Sequence, residues 1–464
     1  MILCVRNGFV QNPANKRTIP PKSRRDTHET LRSEAGWWAD TGERMDVLIE
    51  DGIIRSMKEP GGTYSDDVTV IDATGKWVVP GFVDLHVHFR DPGFTEKEDI
   101  ESGCRAAARG GFTTVCCMPN TKPVIDNEET VRYVDLWGTR ACGVNLFPVS
   151  AITKEQKGKD LVDVARLIDL DTRCKALTGK GIAALSEDGK TVSDVRLMQR
   201  AMELAEEFDL PVFAHTEEES LAGGVMHRGR RAWELGLPGI PAEAEEIIVA
   251  RDILLAKNTG CRLHLCHIST RGSVDLIRLA KSWGVSVTAE TAPHYFTLTE
   301  SSVMKEHGMA KMNPPLREAA DVEAICAALE DGTLDVIATD HAPHTESEKK
   351  LGMERSPFGI VGLETAFALG YTYLVKAGIL SPEELIRKMS LNPARILGLD
   401  RGVIAPGKAA DLAVVDVNEP YYIDPAEFHS KGRNTPFAGM RVFGRILCTI
   451  ANGKVVYDDR WTDR

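Results

Sequence analysis

The stretch VDLHVHFRDPG, residues 83–93, sets two histidines one residue apart and an arginine two residues beyond the second. Side chains two apart on an extended strand face the same way, so Asp84, His86 and His88 share one face. Neutral imidazoles and carboxylates are the usual donors to zinc or a similar divalent ion. HxH alone is a weak signal, but further donors close other apolar runs. Asp188 ends GIAALSED, His215 ends LPVFAH, His267 ends CRLHLCH and Asp340 ends LDVIATD. Taken singly, each has a bland reading as a hydrogen-bonded core histidine or a helix-capping aspartate. Six donors on five strand ends are hard to obtain by accident, and they exceed what one tetrahedral ion takes. His28, His227, His264, His294, His307 and His429 read as structural or surface residues. His264 lies three residues before His267, so alternation turns it away from the ligand side.

Elements that could bring these residues together recur along the chain. Eight strand-length runs end at His88, Asn120, Ile152, Asp188, His215, His267, His294 and Asp340. Amphipathic stretches separate most of them, among them residues 195–208 and residues 322–332, the latter ending at a glycine suited to a helix C-terminus. Eight strand–helix units predict an α/β fold, a (β/α)₈ TIM-like barrel whose strand C-termini surround the reaction site. Residues 1–78 and 400–464 hold short β-like pieces with turn glycines, expected to join as one small β-sandwich domain beside a barrel of residues 79–399. Residues 12–44 interrupt the first flank with a basic, polar segment carrying Trp37 and Trp38, read as a surface insertion or a partner-binding element.

Composition narrows the class. The 464 residues are 43% hydrophobic, enough for a large core plus a smaller domain. Lys plus Arg is 56 against 68 for Asp plus Glu, and the net charge of −12 argues against nucleic acid as a partner. No run of 18 apolar residues and no secretory apolar region appears, so a cytoplasmic protein without a membrane partner is expected. Ten cysteines lack CxxC pairing, which suggests reduced, structural thiols.

Together GFVDLHVHFRDPG, GGFTTVCCMPNTKPVIDN, SEDGK, FAHTEE, LCHIST, MNPPLR, ATDHAPH and PFGIVGLET resemble the amidohydrolase superfamily and, within it, the bacterial type I dihydroorotase class. LNPARILGL and GVIAPGKAADLAVVD are shared across the superfamily, so the resemblance covers nearly all the chain except residues 12–44. It implies two zinc ions per subunit: one on His86, His88 and Asp340, a second on His215 and His267, with Asp188 bridging. Many relatives bridge with a carboxylated lysine. Here the turn reads Ser186-Glu187-Asp188-Gly189, leaving open which acid faces the metals, while Lys180 sits at the other end of that strand.

The implied reaction is the reversible cyclisation of N-carbamoyl-L-aspartate to (S)-dihydroorotate in pyrimidine biosynthesis. A metal-activated water attacks the ring amide, and Asp340 serves as general acid/base. Arg90 would grip the substrate carboxylate through its planar fork of donors. Asn120 and His344 join it by resemblance, and Asn313 with backbone groups near Phe358 and Gly359 meets the ring. The bland alternative for Arg90 is an ion pair with Asp91 or Glu96. Residues 345–357 are either a lid over the substrate or a plain solvated connection. A homodimer is what the family suggests, and aspartate transcarbamoylase is a possible partner. Two rivals stand: a dihydropyrimidinase or allantoinase acting on rings without the carboxylate, and a catalytically silent scaffold, which the six intact donors oppose.

Overall fold

The computed structural model describes residues 2–13, 42–141 and 143–459. Each of the eight expected runs contains a strand: Phe82–Val87, Phe112–Cys117, Asn145–Pro148 with Ser150–Ala151, Leu185–Ser186, Val212–Ala214, Leu263–Leu265, Val287–Thr291 and Val336–Ile337. They pair parallel in two ladders, one of three strands from Phe82–Val87 to Asn145–Pro148 and one of six from Ser150–Ala151 to Val336–Ile337. The third run passes from one ladder to the other at Val149, so successive strands remain neighbours. At the far side Val87 bridges His341 in parallel, and the His88 N–H donates to the His341 carbonyl at 2.8 Å. Buried apolar side chains such as Val83, Leu85, Phe147, Phe213 and Val336 fill the space between the strands.

The intervening helices follow the local chemistry of the sequence. Val195–Glu207 begins where the Asp194 carboxylate accepts from the Arg196 and Leu197 amides, and it buries Met198, Ala201, Met202 and Ala205. Ala319–Asp331 stops at Gly332, whose φ of +82° lets the chain turn out of the helix.

The first predicted run divides at Pro80-Gly81. Trp77–Pro80 pairs antiparallel with Leu412–Asp416, whereas Phe82–Val87 begins the parallel ladder. A Cβ at Gly81 would come within 2.4 Å of the Thr113 side chain, so the chain can cross between the two sheets there only as glycine. The sheet it leaves has eight strands drawn from both flanks, with Ile2–Val10, Glu43–Glu50, Ile53–Lys58 and Val68–Asp72 joined to Leu412–Asp416, Arg445–Ala451 and Lys454–Asp458. Val68–Asp72 branches off the main path onto Ile2–Val10, giving a sandwich-like form around Leu3, Val47, Ile54, Leu412 and Ile450.

Most of the 12–44 segment lies outside the described residues. The described residues that flank it are paired, Val10 with Glu43 in one antiparallel ladder. No described helix is long and apolar enough to cross a membrane. Burial pushes the Cys117, Cys174 and Cys261 thiols up to about 12, as expected of inert core thiols. Since Val10 and Glu43 are already paired, replacing residues 14–41 with a short glycine-rich turn should leave the thermal midpoint within about 4 °C of the full chain. A larger drop in a melting scan would show that the insertion supports the core.

Candidate metal centre

All six predicted donors converge at the C-terminal ends of the parallel strands, and all are buried, with exposures between 0% and 6%. Around the Asp188 carboxylate, His86 Nε2 lies 3.2 Å and His215 Nδ1 3.4 Å from Oδ1, with His267 Nε2 at 3.6 Å. His88 Nε2 stands 3.3 Å from Asp188 Oδ2 and 3.2 Å from Asp340 Oδ1, and His86 Nε2 is 3.6 Å from the same Asp340 oxygen. Two overlapping donor sets result, His86–His88–Asp340 and His86–Asp188–His267, each with ligand atoms within 4.8 Å of one another. His215 joins the second through its Nδ1, 3.0 Å from His267 Nε2.

The choice between the two acids of the turn is decided by their partners. Glu187 points away and accepts from the Ile152 and Thr153 amides at 3.0 Å and from the Thr153 hydroxyl. Asp188 alone faces the imidazoles. Lys180 is remote, its ammonium 2.6 Å from Asp209.

The electrostatics of the cluster call for a cation. Burial alone would raise the Asp188 carboxyl, but His86 and the hydrogen bonds of His215 and His267 outweigh it and hold the acid well below the usual carboxylate range. Burial works against a charge on His215, yet Asp188 and Glu217 push it up to about 10. His86 Nε2, Asp188 Oδ1, His215 Nε2 and His267 Nδ1 are buried without a hydrogen-bond partner. Of these, His86 Nε2 and Asp188 Oδ1 face the cluster, whereas His215 and His267 face it with their other ring nitrogens, Nδ1 and Nε2. Leaving a buried polar atom unsatisfied costs roughly 1–3 kcal/mol, and the convergence of these donors on one carboxylate marks a site built for ions. Histidine nitrogens and carboxylate oxygens fit zinc or a comparable divalent metal.

Partners behind the ligands fix their tautomers. His86 Nδ1 is 3.0 Å from Glu290 Oε1 and donates to it, so Nε2 carries a lone pair toward the two aspartates. His88 Nδ1 donates to Asn120 Oδ1 at 2.8 Å with the same result. Glu290 also holds His264, whose Nε2 lies 3.1 Å from its Oε2. His264 is thus not a donor to the cluster but braces a ligand from behind. Asp84 accepts from the Thr339 amide and hydroxyl and from the His86 amide, tying the first strand end to the last. Glu290 was not among the expected site residues; its signal was an acid in the middle of the apolar run VSVTAET. His294, also expected to be only structural or surface, is buried and within the field of Asp340 and His267; burial pulls it down to about 4.

Of the expected substrate-binding residues, Asn120 contacts the donor His88 and Asn313 reaches His215 by way of Glu217, while Arg90, His344 and Phe358 contact one another. Arg90, with φ at +60°, points its Nη2 to within 3.3 Å of His344 Nε2 and its Nε toward the Pro343 carbonyl at 3.4 Å. It makes no ion pair with a described carboxylate. Asp91 is taken instead by the Tyr133 hydroxyl and the Ile100 amide. His344 Nε2 donates to the Phe358 carbonyl at 2.7 Å, and Lys97 Nζ stands 3.5 Å from Nδ1. Burial together with Arg90, Lys349 and Lys97 pulls His344 down, keeping it neutral. Asn313 donates to Glu217, a further residue the sequence reading passed over. The Gly359 amide donates to the Lys311 carbonyl at 2.9 Å, and its carbonyl accepts from Lys349 and Asn434. Both backbone groups of Gly359 are thus engaged within the protein.

Comparison with known proteins agrees with this arrangement. Residues 77–456 match the amidohydrolase family. The chain is 49% identical over 419 residues to a dihydroorotase of Pelotomaculum thermopropionicum, covering 90% of this chain and 95% of that protein. A dihydroorotase of Thermoanaerobacter sp. is 48% identical over 421 residues, with 90% and 95% covered. Among solved structures, L-hydantoinase (dihydropyrimidinase) from Arthrobacter aurescens superposes with a TM-score of 0.81 at 24% identity, covering 98% of this chain and 96% of that one. Dihydropyrimidinase from Brevibacillus agri NCHU1002 gives 0.77 at 23% identity, covering 99% and 96%. At that identity the likeness is one of fold.

The two acids of the turn should separate by measurement. Asp188→Asn should lower bound metal per chain in elemental analysis, whereas Glu187→Gln should keep the wild-type metal content and lose roughly 2 kcal/mol of stability in denaturant unfolding.

Proposed function

The chain belongs to the amidohydrolase family and, within it, to the dihydroorotases, hydrolases of pyrimidine biosynthesis, and we propose that its buried cluster catalyses the reversible ring closure of N-carbamoyl-L-aspartate to (S)-dihydroorotate. The observation that carries this reading is the convergence of six buried donors beside an arginine with no carboxylate partner among the described residues.

In this reading His86, His88 and Asp340 would hold one zinc and His215 and His267 a second, with Asp188 as the carboxylate shared between the two sets. Such ions supply Lewis acidity, lowering the pKa of water and polarising a carbonyl oxygen. The protein's own groups do the rest. Asp340, at the mouth of the cluster, takes the proton of the attacking water and returns it to the leaving ring nitrogen. In hydrolysis the water oxygen bonds to the ring carbonyl carbon, the carbon–nitrogen bond breaks, and the nitrogen leaves protonated. Ring closure runs through the same groups in reverse. Arg90 binds the substrate carboxylate bidentately, in a wall where Lys97 adds positive charge. Neutral His344 fixes that wall to the Phe358 carbonyl, and Asn120 reaches the site while orienting His88. Asn313, with the backbone at Phe358 and Gly359, bounds the ring side.

The remaining architecture follows the same reading. The two parallel ladders close as a (β/α)₈ barrel of residues 79–399, supported by the Val87–His341 bridge. Residues 1–78 and 400–464 form the sandwich domain, supported by their shared eight-stranded sheet. The aspartate at the bridging position fits the type I class. The protein works in the cytoplasm as a homodimer, and aspartate transcarbamoylase is its candidate partner.

Metal-replete protein should cyclise N-carbamoyl-aspartate at mildly acidic pH and hydrolyse dihydroorotate at alkaline pH. Activity on dihydrouracil or allantoin in place of both would transfer the assignment to a dihydropyrimidinase or allantoinase. Arg90→Met should raise KM about a hundredfold, in keeping with loss of a charge-assisted bidentate pair, with metal content intact. An unchanged KM would remove Arg90 from the carboxylate site. Asp340→Asn should abolish turnover while some metal stays bound.

A further inference from the structure

Lys349 is fully buried in the short helix Glu346–Lys349 and forms no ion pair with a described residue. Its Nζ donates to three backbone carbonyls: Lys311 at 3.1 Å, Pro357 at 3.0 Å and Gly359 at 2.8 Å. Three acceptors match the three N–H bonds of an ammonium; a neutral amine has two. A buried charge without a counterion is costly, and a methionine would fill the same space without that penalty. Burial, with Lys311 and Arg90 nearby, pulls Lys349 down to about 7, and the three carbonyls that accept from it favour its protonated form.

Its surroundings show what is being held. Lys311 returns the interaction in the opposite direction, its Nζ donating to the Met353 carbonyl at 2.6 Å and the Glu354 carbonyl at 3.4 Å. That ammonium also lies 4.5 Å from the centre of the Phe358 ring. At the rim, Lys97 pairs with Glu348 at 2.8 Å. The two short helices Glu346–Lys349 and Gly352–Arg355 are thus fastened on three sides, and Phe358 and Gly359 follow directly from them. Gly359, at φ +128°, has no room for a side chain, since a Cβ would lie 2.7 Å from the Ala342 Cβ and 3.2 Å from His344 Nε2.

We propose that Lys349 is a positioning residue that fastens residues 345–357 closed and sets the Phe358–Gly359 backbone against the substrate ring. The role at the ring rests on the dihydroorotase reading above, whereas the fastening does not. The segment is a wall pinned to the backbone at Lys311, Pro357 and Gly359. Lys349 touches neither substrate nor metal, and acts through Gly359 and, by way of the Phe358 carbonyl, through His344 and Arg90.

Lys349→Met keeps the volume and removes all three N–H donors. It should raise KM for dihydroorotate about tenfold or more with kcat within about threefold and metal content unchanged. Cleavage at Glu346, Glu348 and Glu354 by a glutamate-specific protease should be about tenfold faster than in wild type under native conditions. KM and cleavage rates both at wild-type levels would overturn the proposal. A fall in kcat and metal content at constant KM would also overturn it, since that marks a general structural defect. Where Lys349→Met does not fold, Lys311→Met, which removes the reciprocal bonds, must show the same KM and cleavage changes. Should wild type fail to turn over dihydroorotate, the functional reading falls but the protease comparison still tests the fastening.

Discussion

The centre of this molecule is a charge problem. Two aspartates and four histidines are packed into one buried volume, with several of their polar atoms lacking partners. Carboxylates buried this deeply should be driven toward neutrality, yet Asp188 and Asp340 are held well below the usual carboxylate range because imidazoles surround them. That compensation demands positive charge among the ligands. Protons on the histidines can supply it, but divalent cations supply it while also using the unpartnered nitrogen and oxygen atoms.

Everything adjacent to the cluster reads as a device for keeping it assembled. Glu290 and Asn120 each accept the Nδ1 proton of one HVH histidine and so present Nε2 to the aspartates. Asp84 stitches the first strand end to the last through Thr339, and Glu98 receives the Nε2 proton of His341 while the Gly362 amide donates to its Nδ1. Backbone strain is spent in the same place. Arg90, His267 and Asp340 have φ of +60°, +37° and +48°, conformations that cost a non-glycine residue about 1–3 kcal/mol each. Nothing in their immediate sequence favours these angles. They persist because the strands behind them and the hydrogen bonds around them determine the geometry from outside.

This division explains what the sequence could disclose. The donors themselves were legible because they are polar residues at the ends of apolar runs, and strand periodicity alone placed His86 and His88 on one face. The eight runs and the capped helices 195–207 and 319–331 were legible for the same reason of local pattern. The Pro80-Gly81 pair signals a break within WVVPGFVDLHVH, but nothing in that stretch says that its halves join different sheets, which depends on pairing with Leu412–Asp416 on one side and Phe112–Cys117 on the other. Glu290 and His264 were hidden because their meaning depends on a contact 204 residues away for the first and on a neighbouring strand for the second. The orientation of Glu187 likewise depends on the amides of Ile152 and Thr153, which no spacing within SEDG encodes.

Specificity is built on the opposite electrostatic plan from the metal cluster. Arg90, Lys97 and Lys349 gather positive charge around His344, which burial and those cations keep neutral. A neutral imidazole there can donate from Nε2 to the Phe358 carbonyl and accept at Nδ1, so it links the cationic wall to the backbone without adding another charge to be compensated. The consequence is a cluster built around two carboxylates beside a group of cationic side chains. On the reading proposed above, a substrate that carries a carboxylate beside an amide carbonyl would satisfy Arg90 and the metals at once, whereas a ring without the carboxylate would leave the guanidinium unpaired. Leaving a buried charge unpaired costs more than the pair itself gains, so in that reading the same arginine that attracts the acid would also reject its neutral analogues.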